Sequence, residues 1–62
     1  MNQIKEVLKE KGILQTWLAK QLDKSYNPIN EYARNVRQPN IEDLYRIAKI
    51  LDINAKDLLK EN

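Results

Sequence analysis

The sequence contains no cysteine and no histidine, and these two absences narrow the functions open to the protein. Without cysteine the chain has no disulfide bond and no thiolate metal ligand. Without histidine it lacks the commonest metal ligand and the commonest general base of enzymes. We therefore expect no metal site, no cofactor and no catalytic residue, and the protein is predicted not to be an enzyme.

Helix breakers and long apolar runs are also scarce. The chain has one glycine and two prolines, and it lacks runs of β-branched residues, which together favour helices. No apolar run reaches membrane-spanning length, and the first residues do not form the apolar stretch of a signal peptide. A length of 62 residues predicts a single domain over residues 1–62. We expect it in the cytoplasm, without membrane contact.

What is present is the composition of a small folded domain. Hydrophobic residues make up 42% of the chain and charged residues 32%, proportions typical of a globular rather than a disordered chain. The formal net charge of +2 and the isoelectric point near 9.0 permit an anionic partner without requiring one. No pattern in the sequence indicates a small-molecule ligand.

Apolar residues at helical spacing predict two helices in the first third of the chain. The first covers residues 2–11 and ends before Gly12, which suits a left-handed helix end. The second covers Gln15 to Leu22, with Leu14 expected to add to its apolar stripe from just outside. Trp17 lies beside that stripe, where partial burial is the expected role and stacking on nucleic acid is the alternative.

A third helix is predicted to end near Arg34, with Asn35 as a left-handed residue after it. Its inward residues are Ile29, Tyr32 and Ala33. Proline lacks an amide hydrogen and disfavours helical angles in the residue before it. Asn27 and Pro28 therefore suit the cap and the first position of a helix. The helix can begin directly after the turn and cap residues 23–25, and a later start at Pro28 stays open.

Two further helices complete the predicted fold. Asn40 is expected to cap helix four, with Asp43 in the place of the acid of a capping box. Apolar residues then repeat at helical spacing and predict a face buried in the core: Ile41, Leu44, Ile47, Ala48 and Leu51. Asp52 ends this helix. Asn54 is expected to cap a short fifth helix from Ala55 to about Lys60.

The order of these features resembles the XRE/Cro/lambda-repressor-like helix-turn-helix family. The matching parts are IKEVLKEKGI, Gln15, LAKQL, Ser25 with Ile29 four residues later, and RQPNIEDLYRIAKILDINAKDLL. Two adjacent helices alone are a weak signal because they occur in many folds, whereas five helices with these caps and stripes are a strong one. The resemblance implies an all-α fold, a compact five-helix domain with the helix-turn-helix at helices two and three.

The resemblance also implies a partner, double-stranded DNA. Helix three would lie in the major groove, and helix two would cross the phosphate backbone above it. The protein would be a sequence-specific transcriptional regulator, with repression as the expected mode. One departure from the family is Leu14, which stands where a Ser or Thr cap is usual, and losing a cap costs about 1 kcal/mol.

DNA contacts can be assigned to individual positions through the resemblance. Gln15 stands where the family has a phosphate-binding residue at the start of helix two. The end of the turn and the outward positions of helix three hold Ser25, Tyr26, Asn27, Asn30 and Glu31. The positions that grip the backbone beyond the reading helix hold Arg34, Arg37 and Gln38.

Side-chain chemistry supports these assignments independently. Asparagine can form two hydrogen bonds with adenine, and glutamate can accept one from cytosine N4. Lysine and arginine neutralise phosphates, and cations outnumber acids between residues 11 and 38, where Lys24 joins the predicted contacts. The alternative is a solvated surface without a partner. For Glu31 the alternative is an acid that only orients a neighbouring arginine.

A DNA reader of this size is expected to bind as a homodimer. Ile53, Leu58 and Leu59 form the candidate dimer surface, and the alternative is that they only close the core. A second function stays open, in which the same fold serves as a protein-interaction or antitoxin-like module with weak or secondary DNA contact. The modest net charge and Pro28 favour this alternative slightly.

Overall fold

The computed structural model describes residues 2–59, which fold into five α-helices with no β-strand. In chain order the helices are α1 (Ile4–Lys11), α2 (Gln15–Gln21), α3 (Tyr26–Ala33), α4 (Ile41–Leu51) and α5 (Ala55–Leu58). The predicted all-α fold is therefore confirmed. None of these helices is both long and apolar enough to cross a bilayer.

Every helix contributes apolar side chains to a single core. Its buried members are Ile4, Leu8, Leu18, Ala19, Leu22, Ile29, Tyr32, Ala33, Leu44, Ile47, Ala48, Leu51 and Leu58. Burying one aliphatic side chain of this size stabilises a fold by about 1.5–3 kcal/mol. The apolar stripes of helices two and three are confirmed by this arrangement, and they fix those two helices against the remainder of the domain.

The first four helices end in the same way, at a residue with positive φ. These residues are Gly12, Asp23, Asn35 and Asp52, with φ between 56° and 68°. The amide of the residue after each one donates to the carbonyl five positions earlier, at 2.9–3.0 Å. This pattern satisfies carbonyl groups that a helix end otherwise leaves unpaired. The helix ends predicted at Gly12, Asn35 and Asp52 are confirmed.

Of the two possible starts of helix three, the structure has the one directly after Ser25 and not the later one at Pro28. Helix α3 begins at Tyr26, with Ser25 as its N-cap, so Pro28 is the third helical residue. The amides of the first turn have no partner within a helix, so the missing amide of Pro28 removes no backbone hydrogen bond. A proline ring clashes with the carbonyl four residues earlier in a helix, but that residue lies before the start of α3. Proline here removes only an amide that Ser25 could cap, and the Ser25 side chain makes no capping bond.

Two apolar residues predicted to join the core are exposed. Leu14 is 71% exposed and Ile41 is 72% exposed. Leu14 is the N-cap of α2 and Ile41 is the first residue of α4, so both lie beyond the ends of the buried stripes. The predicted N-cap of α4 is confirmed, because Asn40 Oδ1 accepts from the Asp43 amide at 2.7 Å.

Smaller differences occur at other helix bounds. Helix α1 begins at Ile4 rather than at Asn2, because the Asn2 side chain accepts a hydrogen bond from the Ile4 amide at 3.0 Å. Helix α2 ends one residue early, with Leu22 as its C-cap. Helix α5 ends at Leu58, and the predicted end at Lys60 lies outside the described residues.

Candidate nucleic-acid interface

Helix α3 has one buried and one exposed side. Ile29, Tyr32 and Ala33 are at most 4% exposed and attach the helix to the core. The remaining positions carry the predicted DNA contacts. Tyr26 is 46% exposed, Asn27 and Arg34 are exposed, and Asn30 and Glu31 are half-buried. The polar side of the helix is therefore open to a partner, on a helix that the core holds in place.

The turn between α2 and α3 is anchored to α4 by a buried carboxylate. Asp43 is 6% exposed, and its Oδ2 lies 3.3 Å from Lys24 Nζ and accepts from Tyr32 Oη at 3.4 Å. Its Oδ1 lies 3.8 Å from Arg46 Nη1, and Arg46 donates to the Leu22 carbonyl at 3.3 Å. These bonds join the turn, α3 and α4, so they fix the orientation of the pair of helices.

Lys24 was predicted to contact DNA, but its ammonium group is held by Asp43. An ion pair with a buried carboxylate competes with any phosphate contact. The sequence indicates Asp43 only as the capping-box acid of helix four, and its role in this cluster is found only in the structure. Nothing in the local sequence separates a solvent-exposed capping acid from a buried one.

Gln15, Asn30 and Tyr26 form a hydrogen-bonded cluster across α2 and α3. Asn30 Nδ2 donates to Gln15 Oε1 at 3.0 Å and to Tyr26 Oη at 2.9 Å. The start of α2 is thereby tied to the middle of α3. Three residues predicted separately as DNA contacts thus act as one unit, with their relative positions set before a partner arrives.

The hydrogen bonds of this cluster determine which atoms are left for a ligand. Both hydrogens of Asn30 Nδ2 are used within it, so Asn30 presents its Oδ1 as an acceptor. Because Gln15 Oε1 accepts from Asn30, Gln15 presents Nε2 as a donor. Tyr26 Oη accepts from Asn30 and keeps its own hydrogen to donate. The cluster therefore offers a ligand one acceptor, Asn30 Oδ1, and two donors, Gln15 Nε2 and the Tyr26 hydroxyl.

At the other end of α3, Glu31 is paired with Arg37. Glu31 Oε1 lies 3.6 Å from Arg37 Nη1, with side chains 41% and 62% exposed. The backbone amide of Arg37 also bonds to the Glu31 carbonyl at 3.3 Å. This geometry agrees with the alternative weighed for Glu31, in which the acid orients an arginine. Exposed pairs contribute little stability, about 0–1 kcal/mol, so Arg37 can exchange Glu31 for a phosphate at small cost.

Gln38 belongs to a polar network with the start of the chain. Its Oε1 accepts from Asn2 Nδ2 at 3.0 Å, and its Nε2 donates to Asn35 Oδ1 at 3.2 Å. Asn2 is 1% exposed and also donates from Nδ2 to the Tyr32 carbonyl at 2.9 Å. The network fixes the loop after α3. No sequence pattern marks Asn2, because a single asparagine near a chain end is usually solvated.

Three predicted contacts have no side-chain hydrogen bond or ion pair within residues 2–59. They are Ser25, Asn27 and Arg34, and all three are exposed. Along the chain, Asn27 precedes Asn30 and Arg34 follows it. The described part of the chain also holds no group of three or more acidic residues placed to bind a metal ion.

Known proteins with similar sequence or structure share the helix-turn-helix architecture. A family model described as helix-turn-helix matches residues 4–58. A crystal structure of a protein from Bacteroides fragilis, described as a putative DNA-binding protein, is 38% identical and superimposes with a TM-score of 0.91, covering 94% of each chain. No curated protein matches the sequence.

Proposed function

The chain belongs to the XRE/Cro/lambda-repressor-like helix-turn-helix family, whose members are non-enzymatic DNA-binding regulators, and we propose that it binds specific duplex sequences as a repressor of transcription. In this proposal α3 enters the major groove and α2 lies across the phosphate backbone. The observation that carries it is the exposed polar side of α3, fixed on the core by Ile29, Tyr32 and Ala33.

Base reading in this proposal comes from the Asn30 cluster and from Asn27. With its Nδ2 hydrogens engaged, Asn30 offers Oδ1 to a donor in the major groove, which is adenine N6 or cytosine N4. The Tyr26 hydroxyl donates to an acceptor such as guanine N7, guanine O6 or thymine O4. Asn27 is exposed and free to bond adenine through both its amide nitrogen and its oxygen.

Phosphate binding in this proposal surrounds the reading helix. Gln15 uses its Oε1 to accept from Asn30, so its Nε2 is left as a donor at the start of α2, where the DNA backbone would pass. Arg34 and Arg37 lie at the far end of α3 and supply positive charge there. Such contacts fix the position of a protein on the duplex but carry no base information.

Repression needs no further activity, because a bound protein excludes other proteins from the same duplex. We propose a homodimer, since a single domain buries little DNA surface and two-fold proteins bind two half-sites. Leu58 is fully buried within the monomer, whereas Leu59 is 50% exposed and Ile53 is partly buried. The proposed dimer surface therefore consists of Ile53 and Leu59. The proposal places the protein in the cytoplasm.

A protein-interaction module is the second candidate, and exposed apolar side chains favour it. Ile41 and Tyr45 lie four residues apart on α4 and are 72% and 62% exposed, and Val36 is 61% exposed. Residues four apart share one face of a helix, so Ile41 and Tyr45 form an apolar edge. A protein partner could cover this edge without using α3.

Salt dependence separates the two candidates. Binding of a fluorescent duplex is measured by anisotropy between low and high salt, in parallel for the wild type and Arg34→Gln/Arg37→Gln. A DNA reader loses affinity steeply with salt, with a slope of log K against log salt of about −0.9 per phosphate contact. The double variant is expected to show a shallower slope. A flat response of the wild type would contradict the proposal and support the second candidate.

A further inference from the structure

An open groove runs beside the proposed reading surface, between α1, the start of α2 and the start of α3. Its lining residues are Lys5, Leu8, Lys9, Ile13, Leu14, Gln15, Thr16 and Tyr26. Gln15 and Tyr26 belong to the Asn30 cluster, so the groove is continuous with the proposed interface. None of the DNA contacts predicted from the sequence lies in helix α1.

Helix α1 carries three lysines and two glutamates, and the two kinds of charge occupy different positions around the helix. Successive residues of a helix are rotated by about 100°, so Lys5 and Lys9, four apart, share one side. Glu6 and Glu10, also four apart, share another side about 100° away. Lys5 and Lys9 are exposed and line the groove, whereas neither glutamate does. The side of α1 that faces the groove is therefore basic.

The two lysines are not neutralised within the described part of the chain. The ion pairs there join Lys24 and Arg46 to Asp43 and Arg37 to Glu31, so Lys5 and Lys9 have no acidic partner. The groove also has apolar walls, formed by Leu8, Ile13 and Leu14. Lysine stems can lie along such walls while the ammonium groups remain at the rim.

We propose that Lys5 and Lys9 bind DNA phosphates and extend the interface from α3 and α2 onto α1. The inference rests on the proposed function and adds two contacts to it. The ligand is the backbone of the strand that passes the start of α2, where Gln15 and Thr16 line the same groove as the lysines. Lysine suits this role because it is a flexible point charge that needs no fixed orientation.

The test compares the salt dependence of duplex binding for four proteins. They are the wild type, Lys5→Gln/Lys9→Gln, Lys5→Arg/Lys9→Arg and the control Lys49→Gln/Lys56→Gln. The control removes the same charge at exposed positions outside the groove. Ethylation interference on the same duplex identifies the phosphates that each protein needs. Circular dichroism checks that each variant is folded.

The glutamine pair in α1 is expected to lower the magnitude of the slope by about 1.8, which is 0.9 for each lost contact. Ethylation of some phosphates should block binding of the wild type and the control but not of the glutamine pair. The arginine pair should keep the wild-type slope. If the wild type binds and the glutamine pair has the slope of the control, the inference on α1 is wrong and the proposed function stands. If the wild type binds no duplex, both are wrong.

Discussion

At the scale of single residues, Asn30 links positioning to recognition. Its amide nitrogen donates to Gln15 at 3.0 Å and to Tyr26 at 2.9 Å, which leaves its oxygen as the acceptor for a base. One side chain therefore fixes the spacing of α2 and α3 and presents an acceptor. Removing Asn30 should affect specific binding more than general affinity for DNA, because the charged phosphate contacts, Arg34 and Arg37, lie outside its cluster.

We predict that Asn30→Ala lowers the preference for a specific duplex over a random one by about 1–3 kcal/mol. The physical reason is the loss of the Oδ1 acceptor together with the bonds that position Tyr26 and Gln15. Competition binding with the two duplexes measures the preference. Asn54→Ala is the control, since Asn54 makes no side-chain capping bond in α5. Equal losses for both duplexes would show that Asn30 does not read bases.

Asp43, like Asn30, connects residues from separate helices. It is the one buried acid among the described residues, and its partners come from the turn, α3 and α4. Losing its charge would leave Lys24 and the buried Tyr32 hydroxyl with weaker partners. The orientation of α3 depends on these contacts, so this carboxylate connects stability to the geometry of the proposed interface.

Asp43→Asn is expected to lower the free energy of unfolding by about 1–3 kcal/mol, the range for weakening a buried hydrogen-bonded group. Urea denaturation measures the change. Asp57→Asn is a matched control, because Asp57 is also the third residue of its helix but is exposed, and it should change stability by less than about 0.5 kcal/mol. Equal effects would mean that the Asp43 cluster adds nothing beyond a helix-end charge.

At the scale of helices, α2 begins at a residue whose side chain cannot cap it. Leu14 occupies the N-cap position without a capping bond, and it is 71% exposed. It therefore neither caps the helix nor contributes much to the core. A polar residue with a side-chain acceptor would satisfy an amide that now has no partner in the helix.

We expect Leu14→Ser to raise the free energy of unfolding by about 1 kcal/mol. Thermal and urea denaturation measure the change, and Leu14→Ala separates the cap from the loss of the leucine side chain. The serine variant should be the more stable of the two. If both variants match, capping at this position does not limit stability.

The sequence predicted the helices well because their signals are local. Apolar spacing identified the buried faces of α2 and α3, and Gly12 and Asn35 marked two helix ends. The start of α3 stayed open in the sequence because the rules for proline also allow a start at Pro28, although a missing amide in the first turn removes no bond.

The candidate site was harder to predict, because its contacts join distant residues. Asp43 bonds to Lys24, and Asn2 bonds to Gln38, across separations that no local pattern encodes. The basic side of α1 was likewise not predicted, because Glu6 and Glu10 follow directly after Lys5 and Lys9 in the sequence. Which outward residues share a cluster, such as Gln15 and Asn30, becomes visible only once the helices are packed.

At the scale of the whole molecule, dimerisation decides how much DNA the protein covers. Leu59→Asp places a charge on the proposed dimer surface, where a two-fold contact would bring two charges together. We predict a shift from dimer to monomer in sedimentation velocity at micromolar concentration, with the fold retained because Leu59 is 50% exposed. Leu14→Asp adds a charge at another exposed leucine and should leave the dimer intact. A dimer in both variants would exclude this surface.

Selection of bound sequences from a random pool of duplexes tests the central claim most directly, namely that α3 reads bases in the major groove. The wild type is expected to enrich a palindromic consensus with two half-sites about one helical turn apart. In the same selection, Asn27→Ala should lose the preference at one position in each half-site and retain the others. Absence of any enriched sequence, or an unchanged consensus when α3 is altered, would contradict the account.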